Sequence, residues 1–152
     1  MKNLVSYLKS ININDPMKTN HVLVVVKPGF QELIPVITDK FVKDGYKIVK
    51  MTTKKLQLEE AKELYKIHKE EDFYKPLCEY MASGTTTAFI LYKNIDKIFD
   101  DFAKLKDKIR KEYGQSEMRN VLHSSDSYKN FTHEANVYFY NINQTDLTEI
   151  AR

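Results

Sequence analysis

The chain has 152 residues, 42% of them apolar and 30% charged, with a formal net charge of +3. That length and balance fit one domain with a real core and exclude a disordered chain. The charge is too small to point to nucleic acid, although a modest positive balance suits small anionic ligands.

Residues 1 to 19 read as an appendage. It is open to two readings: a short helix with Leu4, Val5 and Leu8 on one side, ended by Asn14-Asp15-Pro16, or a disordered segment. The apolar residues there are too interrupted for a signal peptide, and no stretch approaches the ~20 apolar residues that cross a membrane, so the expected location is the cytoplasm. His21 to Lys27 reads as a buried strand, because Val22 to Val26 is continuous and mostly β-branched; Pro28-Gly29 stops it. Phe30, Leu33, Ile34, Ile37, Phe41 and Val42 recur at helical spacing, and Asp44-Gly45 closes that helix. Tyr46, Ile48, Val49 and Met51 make a second strand. Leu58 to His68 is a predicted helix, with a shorter one around Leu77 to Ala82 ended by Ser83-Gly84. The single cysteine, Cys78, lies in that apolar pattern; it excludes an internal disulfide framework, fits a reducing compartment and reads as a buried thiol. Thr85 to Tyr92 is a third strand, rich in Thr and aliphatics. Ile95, Ile98, Phe99, Phe102, Leu105 and Ile109 stripe a lysine-rich helix. Val121-Leu122-His123 is a short fourth strand, and Ser125-Asp126 starts a further helix. The order predicts an α+β sandwich of the split βαβ, ferredoxin-like type, a four-stranded antiparallel sheet covered by helices.

There are four histidines. His21, at the start of a strand, and His68, ending a helix, read as surface or capping residues; His133 has no evident partner. His123 stands at a strand end, beside a helix N-terminus. It is open to two readings: a surface histidine in a serine-rich loop, or an imidazole meeting an anion held by free N–H groups and the helix dipole.

A longer pattern bears on that choice. Asn120-Val121-Leu122-His123-Ser124-Ser125-Asp126 resembles the active-site signature of the nucleoside diphosphate kinases, and Arg119 before it also fits. Val26-Lys27-Pro28 is similar to the family's first-strand Lys-Pro motif. Tyr65 and Phe73 stand eight residues apart, like the family's active-site tyrosine and base-stacking phenylalanine. Tyr80-Met81-Ala82-Ser83-Gly84 resembles the turn before the third strand. Ile109-Arg110 resembles an Ile-Arg pair, thirteen residues before His123, and Glu134 follows His123 by eleven, where the family has the glutamate that orients the histidine. The resemblance covers residues 20 to 147.

What the resemblance implies is a kinase with ping-pong kinetics. A nucleoside triphosphate phosphorylates His123, and a nucleoside diphosphate takes the group. Glu134 fixes the imidazole's tautomer, with Ser125 supporting the same network. Tyr65 donates to a phosphate oxygen. Lys27 and Arg110 neutralise phosphate charge, Lys27 and Asn120 contact the ribose hydroxyl, and Phe73 stacks on the base. Magnesium is expected, carried mainly by the nucleotide, since no carboxylate cage is visible.

The chain departs from the family in three places. Gly29-Phe30 replaces the Asp-Gly that follows Lys-Pro. Ser124 stands where Gly or Ala is usual. The segment between the third strand and Arg110 is shortened and lacks the family's phosphate-binding arginine and threonine. Lys97 or Lys104 is the expected substitute, a charge without the bidentate fork. The lost loop also argues for a homodimer or other homo-oligomer rather than the hexameric arrangement. An alternative reading is therefore a catalytically weak nucleotide-binding or regulatory module on the same fold. A third, a nucleic-acid binder using sheet aromatics, is disfavoured by the weak charge.

Overall fold

The computed structural model describes residues 20–139. The expected appendage over residues 1–19, and residues 140–147 of the family-like stretch, lie outside them.

The described elements are β1 (His21–Val26), α1 (Ile34–Lys43), β2 (Lys47–Lys55), α2 (Leu58–Leu64), α3 (Tyr74–Met81), β3 (Thr85–Tyr92), α4 (Ile98–Tyr113), β4 (Leu122–Ser124) and α5 (Tyr128–Phe139). Short 3-10 turns at Gln31–Leu33 and Lys66–His68 precede α1 and follow α2. The strands form one antiparallel sheet in the order β2-β3-β1-β4. This is the α+β, ferredoxin-like arrangement that the order of elements predicts.

β1 is buried along its whole length, which is why it reads as an unbroken apolar run rather than an alternating one. Side chains alternate across the sheet. On one face Phe89 meets Phe41 of α1 edge-on with centroids 5.5 Å apart, and Phe102 of α4 lies 5.7 Å from Phe41 and 5.4 Å from Tyr46. On the other, Phe131 of α5 stacks near His21, and the hydroxyls of Thr86 and Tyr138 are bonded at 2.8 Å. His123, paired with Val25, falls on this second face.

Local chemistry fixes the element ends. α1 closes in a Schellman motif: Gly45 takes φ +91°, its N–H donates to Val42 O, and Tyr46 N–H reaches back to Phe41 O at 3.0 Å. α2 opens with a capping box between Gln57 and Glu60. The predicted helix over 58–68 is broken at Tyr65 into a helix and a 3-10 turn. The last helix starts at Tyr128, not at Ser125-Asp126, because Ser127 is the residue whose Oγ accepts from Asn130 N–H, at 3.1 Å. Cys78 is buried, its thiol directed to Ala61 O. His21 is also buried, 2% exposed, with Tyr92 5.3 Å away; the core claims it, and the expectation of a surface or capping residue does not hold.

Candidate active site

The site begins with a strained turn. Val121, a β-branched residue, has φ +81°, and Leu122 N–H donates to Asn120 O across it at 3.0 Å. Such a turn costs about 1–3 kcal/mol and persists only where its surroundings impose it. Here the Val121 side chain is fully buried and its carbonyl accepts from Lys27 N–H at 2.8 Å. The turn brings Asn120 and His123 to the C-terminal end of β1, where Lys27 sits.

Lys27 is 4% exposed, and its Nζ donates to Asn120 Oδ1 at 2.7 Å and to Met118 O at 3.2 Å. Asn120 in turn donates to Glu117 O at 2.7 Å, so the pair is held as a unit. Burial, and then the charges of Arg110 and Lys106, push the Lys27 amine down to about 7.

His123 is hydrogen-bonded through Nε2 to Oε1 of Glu134, which α5 carries and which is buried. Tyr65 stands edge-on to the imidazole, centroids 5.2 Å apart. Its hydroxyl is buried without a hydrogen-bond partner among the described residues, and burial raises its pKa well above the ordinary value, so it is a donor lacking an acceptor. Arg110, on the last turns of α4, donates through Nη2 to Leu122 O at 2.8 Å; its Nε is buried and unpaired among the described residues.

These groups line a cavity of about 250 Å3 that contains Lys27, Tyr65, Phe73, Lys106, Arg110, His123 and Glu134. A second cavity, about 360 Å3, shares Lys27, Phe73 and Leu77 with it and is bounded beyond them by Glu117 and Met118. The two together form one cleft, cationic at the His123 end and largely apolar at the other. Phe73, 44% exposed, stands between them, 5.3 Å from the ring of His68. A large exposed aromatic at the join of a charged and an apolar cavity is placed to stack on a flat ring.

Of the residues singled out in the sequence, Lys27, Tyr65, Phe73, Arg110, His123 and Glu134 come together in this cleft, with Asn120 holding Lys27. Ser125 does not join them. Its Oγ accepts from Leu23 N–H and its N–H donates to Leu23 O, both at 3.0 Å, so it extends the sheet edge instead of supporting the His123–Glu134 network. Ser124 lines the cavity in place of a smaller residue. Lys97 and Lys104 are exposed and do not line it; the lysine that does is Lys106. Its signal was its spacing, one helical turn before Arg110. His68, expected at the surface, is partly buried and lines the same cavity. His133 finds a partner in Glu63 O, at 2.7 Å.

Gly29 shows why the turn after Pro28 tolerates its departure from the family. It has φ +91°, and a Cβ there would lie 2.6 Å from Nη2 of Arg119. That guanidinium lies over Tyr80, 5.2 Å from its ring centre, and the Tyr80 hydroxyl donates to Pro28 O. The β1 turn, α3 and the loop before His123 are thus joined.

Known proteins match most of the chain. The family model for nucleoside diphosphate kinase matches residues 20–143. A nucleoside diphosphate kinase of Kosmotoga olearia is 32% identical over 126 residues, covering 76% of this chain and 86% of that protein. One from Chlorobium limicola is 33% identical over 129 residues, covering 77% and 91%. The crystal structure of the Aquifex aeolicus nucleoside diphosphate kinase superposes with a TM-score of 0.70 at 25% identity, covering 81% of this chain and 96% of that one. With this fold, this cleft and a match across residues 20–143, the chain belongs to the nucleoside diphosphate kinase family.

Proposed function

We propose that this enzyme transfers the γ-phosphate of a nucleoside triphosphate to a nucleoside diphosphate through a phosphohistidine at His123. The observation that carries the reading is the His123–Glu134 pair in a cleft whose walls also carry Lys27, Lys106, Arg110 and Asp126. With Nε2 held as a donor to Glu134, Nδ1 is the nitrogen with a lone pair to attack. The Nδ1–P bond forms as the bond from phosphorus to the β-phosphate oxygen breaks, and the nucleoside diphosphate leaves. In the return half-reaction an acceptor's β-phosphate oxygen attacks the phosphohistidine and the N–P bond breaks. Positioning and charge stabilisation do most of the work in such transfers. Arg110, Lys27 and the Tyr65 hydroxyl supply them, Phe73 stacks on the base, and Asn120 with Lys27 meets the ribose.

The family generally uses a divalent cation, and magnesium is the ion we expect. Among the described residues no group of three or more His, Cys, Asp or Glu side chains could hold a metal. Asp126 is the one carboxylate beside the phosphate end besides Glu134, which suits an ion carried on the nucleotide's own phosphates. Its chemistry when bound is neutralisation of phosphate charge. We further propose that residues 20–152 act as one nucleoside diphosphate kinase-like domain with residues 1–19 as an extension, that the protein is a homodimer or other homo-oligomer, and that it works in the cytoplasm. Among the described residues no helix is long and apolar enough to cross a membrane.

The test uses γ-labelled ATP. Acid-labile, base-stable label should appear on the wild-type protein, leave when a nucleoside diphosphate is added, and be absent from His123→Ala. Nucleotide binding without label would favour the second reading, a weak or inactive nucleotide-binding module, which the missing family arginine and threonine motivate.

A further inference from the structure

α4 runs unbroken from Ile98 to Tyr113, and Lys106 and Arg110 are one turn apart on it, both lining the His123 cavity. Lys104 and Lys108, the neighbouring lysines of this helix, are exposed, whereas Lys106 is partly buried. A lysine drawn out of solvent is normally paired. Lys106 has no hydrogen bond or ion pair among the described residues. Asp107, Asp126 and Glu134 attract it, but none lies within ion-pair distance. Glu134 is bonded to His123 and Asp126 accepts from Asn130, at 2.7 Å. Meanwhile burial and the charge of Arg110 both work against its ammonium form, as burial and both neighbouring cations work against that of Lys27. Three cationic side chains therefore converge on one small cavity, at a repulsive cost that a polyanion would offset.

We propose that Lys106 is a phosphate-binding residue, its ammonium contacting a phosphoryl oxygen of the bound nucleotide beside Arg110. It supplies from within α4 the charge that the family's absent arginine supplies elsewhere. The proposal deepens the phosphotransfer reading and rests on it for the location of the phosphates near His123. A lysine gives charge without the planar fork of an arginine, so it holds a phosphate less directionally.

Binding of ADP and of adenosine is measured by calorimetry on wild type, Lys106→Met, Lys106→Arg and Lys104→Met. Methionine keeps the aliphatic stem and removes the charge. ADP affinity should fall about tenfold in Lys106→Met, the worth of one charge-assisted hydrogen bond. Adenosine affinity should be unchanged, Lys106→Arg should recover most of the loss, and Lys104→Met should match wild type. Should Lys106→Met fail to fold, Lys106→Gln carries the same comparison. ADP binding within twofold of wild type in the charge-free variant overturns the proposal, as does an equal loss of adenosine binding. If the wild type binds ADP but His123 takes no label, loss of ADP in Lys106→Met still upholds the Lys106 assignment while the transfer reading fails. If the wild type does not prefer ADP to adenosine, both fall.

Discussion

His123 and Lys27 each depend on a partner from another segment, eleven residues away for His123 and 93 for Lys27, and the two partnerships do different work. In the proposed transfer, Glu134 accepts the Nε2 proton of His123 and leaves Nδ1 as the nucleophile. Glu134→Gln keeps the shape but can present its amide N–H to the ring and favour the wrong tautomer; we expect the rate of His123 phosphorylation to fall about a hundredfold, with little change in KM. Wild-type rates in that variant would contradict the tautomer argument. Lys27 is a matter of charge. Its amine is pushed down to about 7 by burial and by Arg110 and Lys106, so at pH 8 the free enzyme carries it mostly uncharged. Bound phosphates favour the ammonium form and raise its pKa. Nucleotide binding at pH 8 should therefore take up a proton, and affinity should weaken as pH rises above about 7, by up to tenfold per unit. Calorimetry in buffers of different ionisation enthalpy measures the uptake, and Lys27→Met should lose it.

The helices and turns place these residues, and some of that placement is visible in the chain. β1 and β3 were legible because their β-branched apolar runs have one reading, and the helix ends at Gly45 and Ser83-Gly84 because glycine marks them. The sheet order was less so, since β1 between β3 and β4 is a long-range pairing that no local pattern encodes. Lys27, Tyr65, Phe73, Arg110, His123 and Glu134, singled out by their family spacing, come together in the cleft. Ser125 was misread because a motif position says nothing of strand pairing, and Lys97 and Lys104 because a lysine count ignores helix phase. With Phe102, Leu105 and Ile109 buried, the face that Lys106 and Arg110 share is already determined. The turn glycines offer a separation of stability from function. Gly29 and Gly45 both have φ +91°, so alanine at either should cost roughly 1–2 kcal/mol. Gly45 faces Lys93, far from His123 in the sheet, whereas Gly29 supports Arg119 and the Lys27 turn. Gly45→Ala should lower the melting temperature and keep turnover; Gly29→Ala should lower both. Equal turnover in the two variants would show that the Lys27 turn does not depend on Gly29.

The cleft is assembled from most of the chain at once: Lys27 from the end of β1, Tyr65 and Phe73 from the segment joining α2 to α3, Arg110 from α4, His123 from β4 and Glu134 from α5. None of these segments can leave the domain without dismantling the site. A ligand that touches them all binds only the folded state, so its free energy is added to global stability rather than to one loop. At a nucleotide concentration a hundred times Kd the gain is about 2.7 kcal/mol. For a domain of this size that amounts to roughly 5–10 °C in melting temperature. The division of the cleft into a cationic and an apolar part adds a sharper expectation. On the proposed reading adenosine fills the Phe73 and Met118 end and meets Lys27 through its ribose, while ADP also engages Arg110 and the surroundings of His123. At equal concentration ADP should therefore raise the melting temperature well beyond adenosine, and Arg110→Met should bring the two shifts together. Thermal unfolding of both proteins with each ligand measures this directly. Equal shifts for the two ligands in the wild type would mean that the cationic end contributes nothing to binding, and the three converging cations would need another anion to account for them.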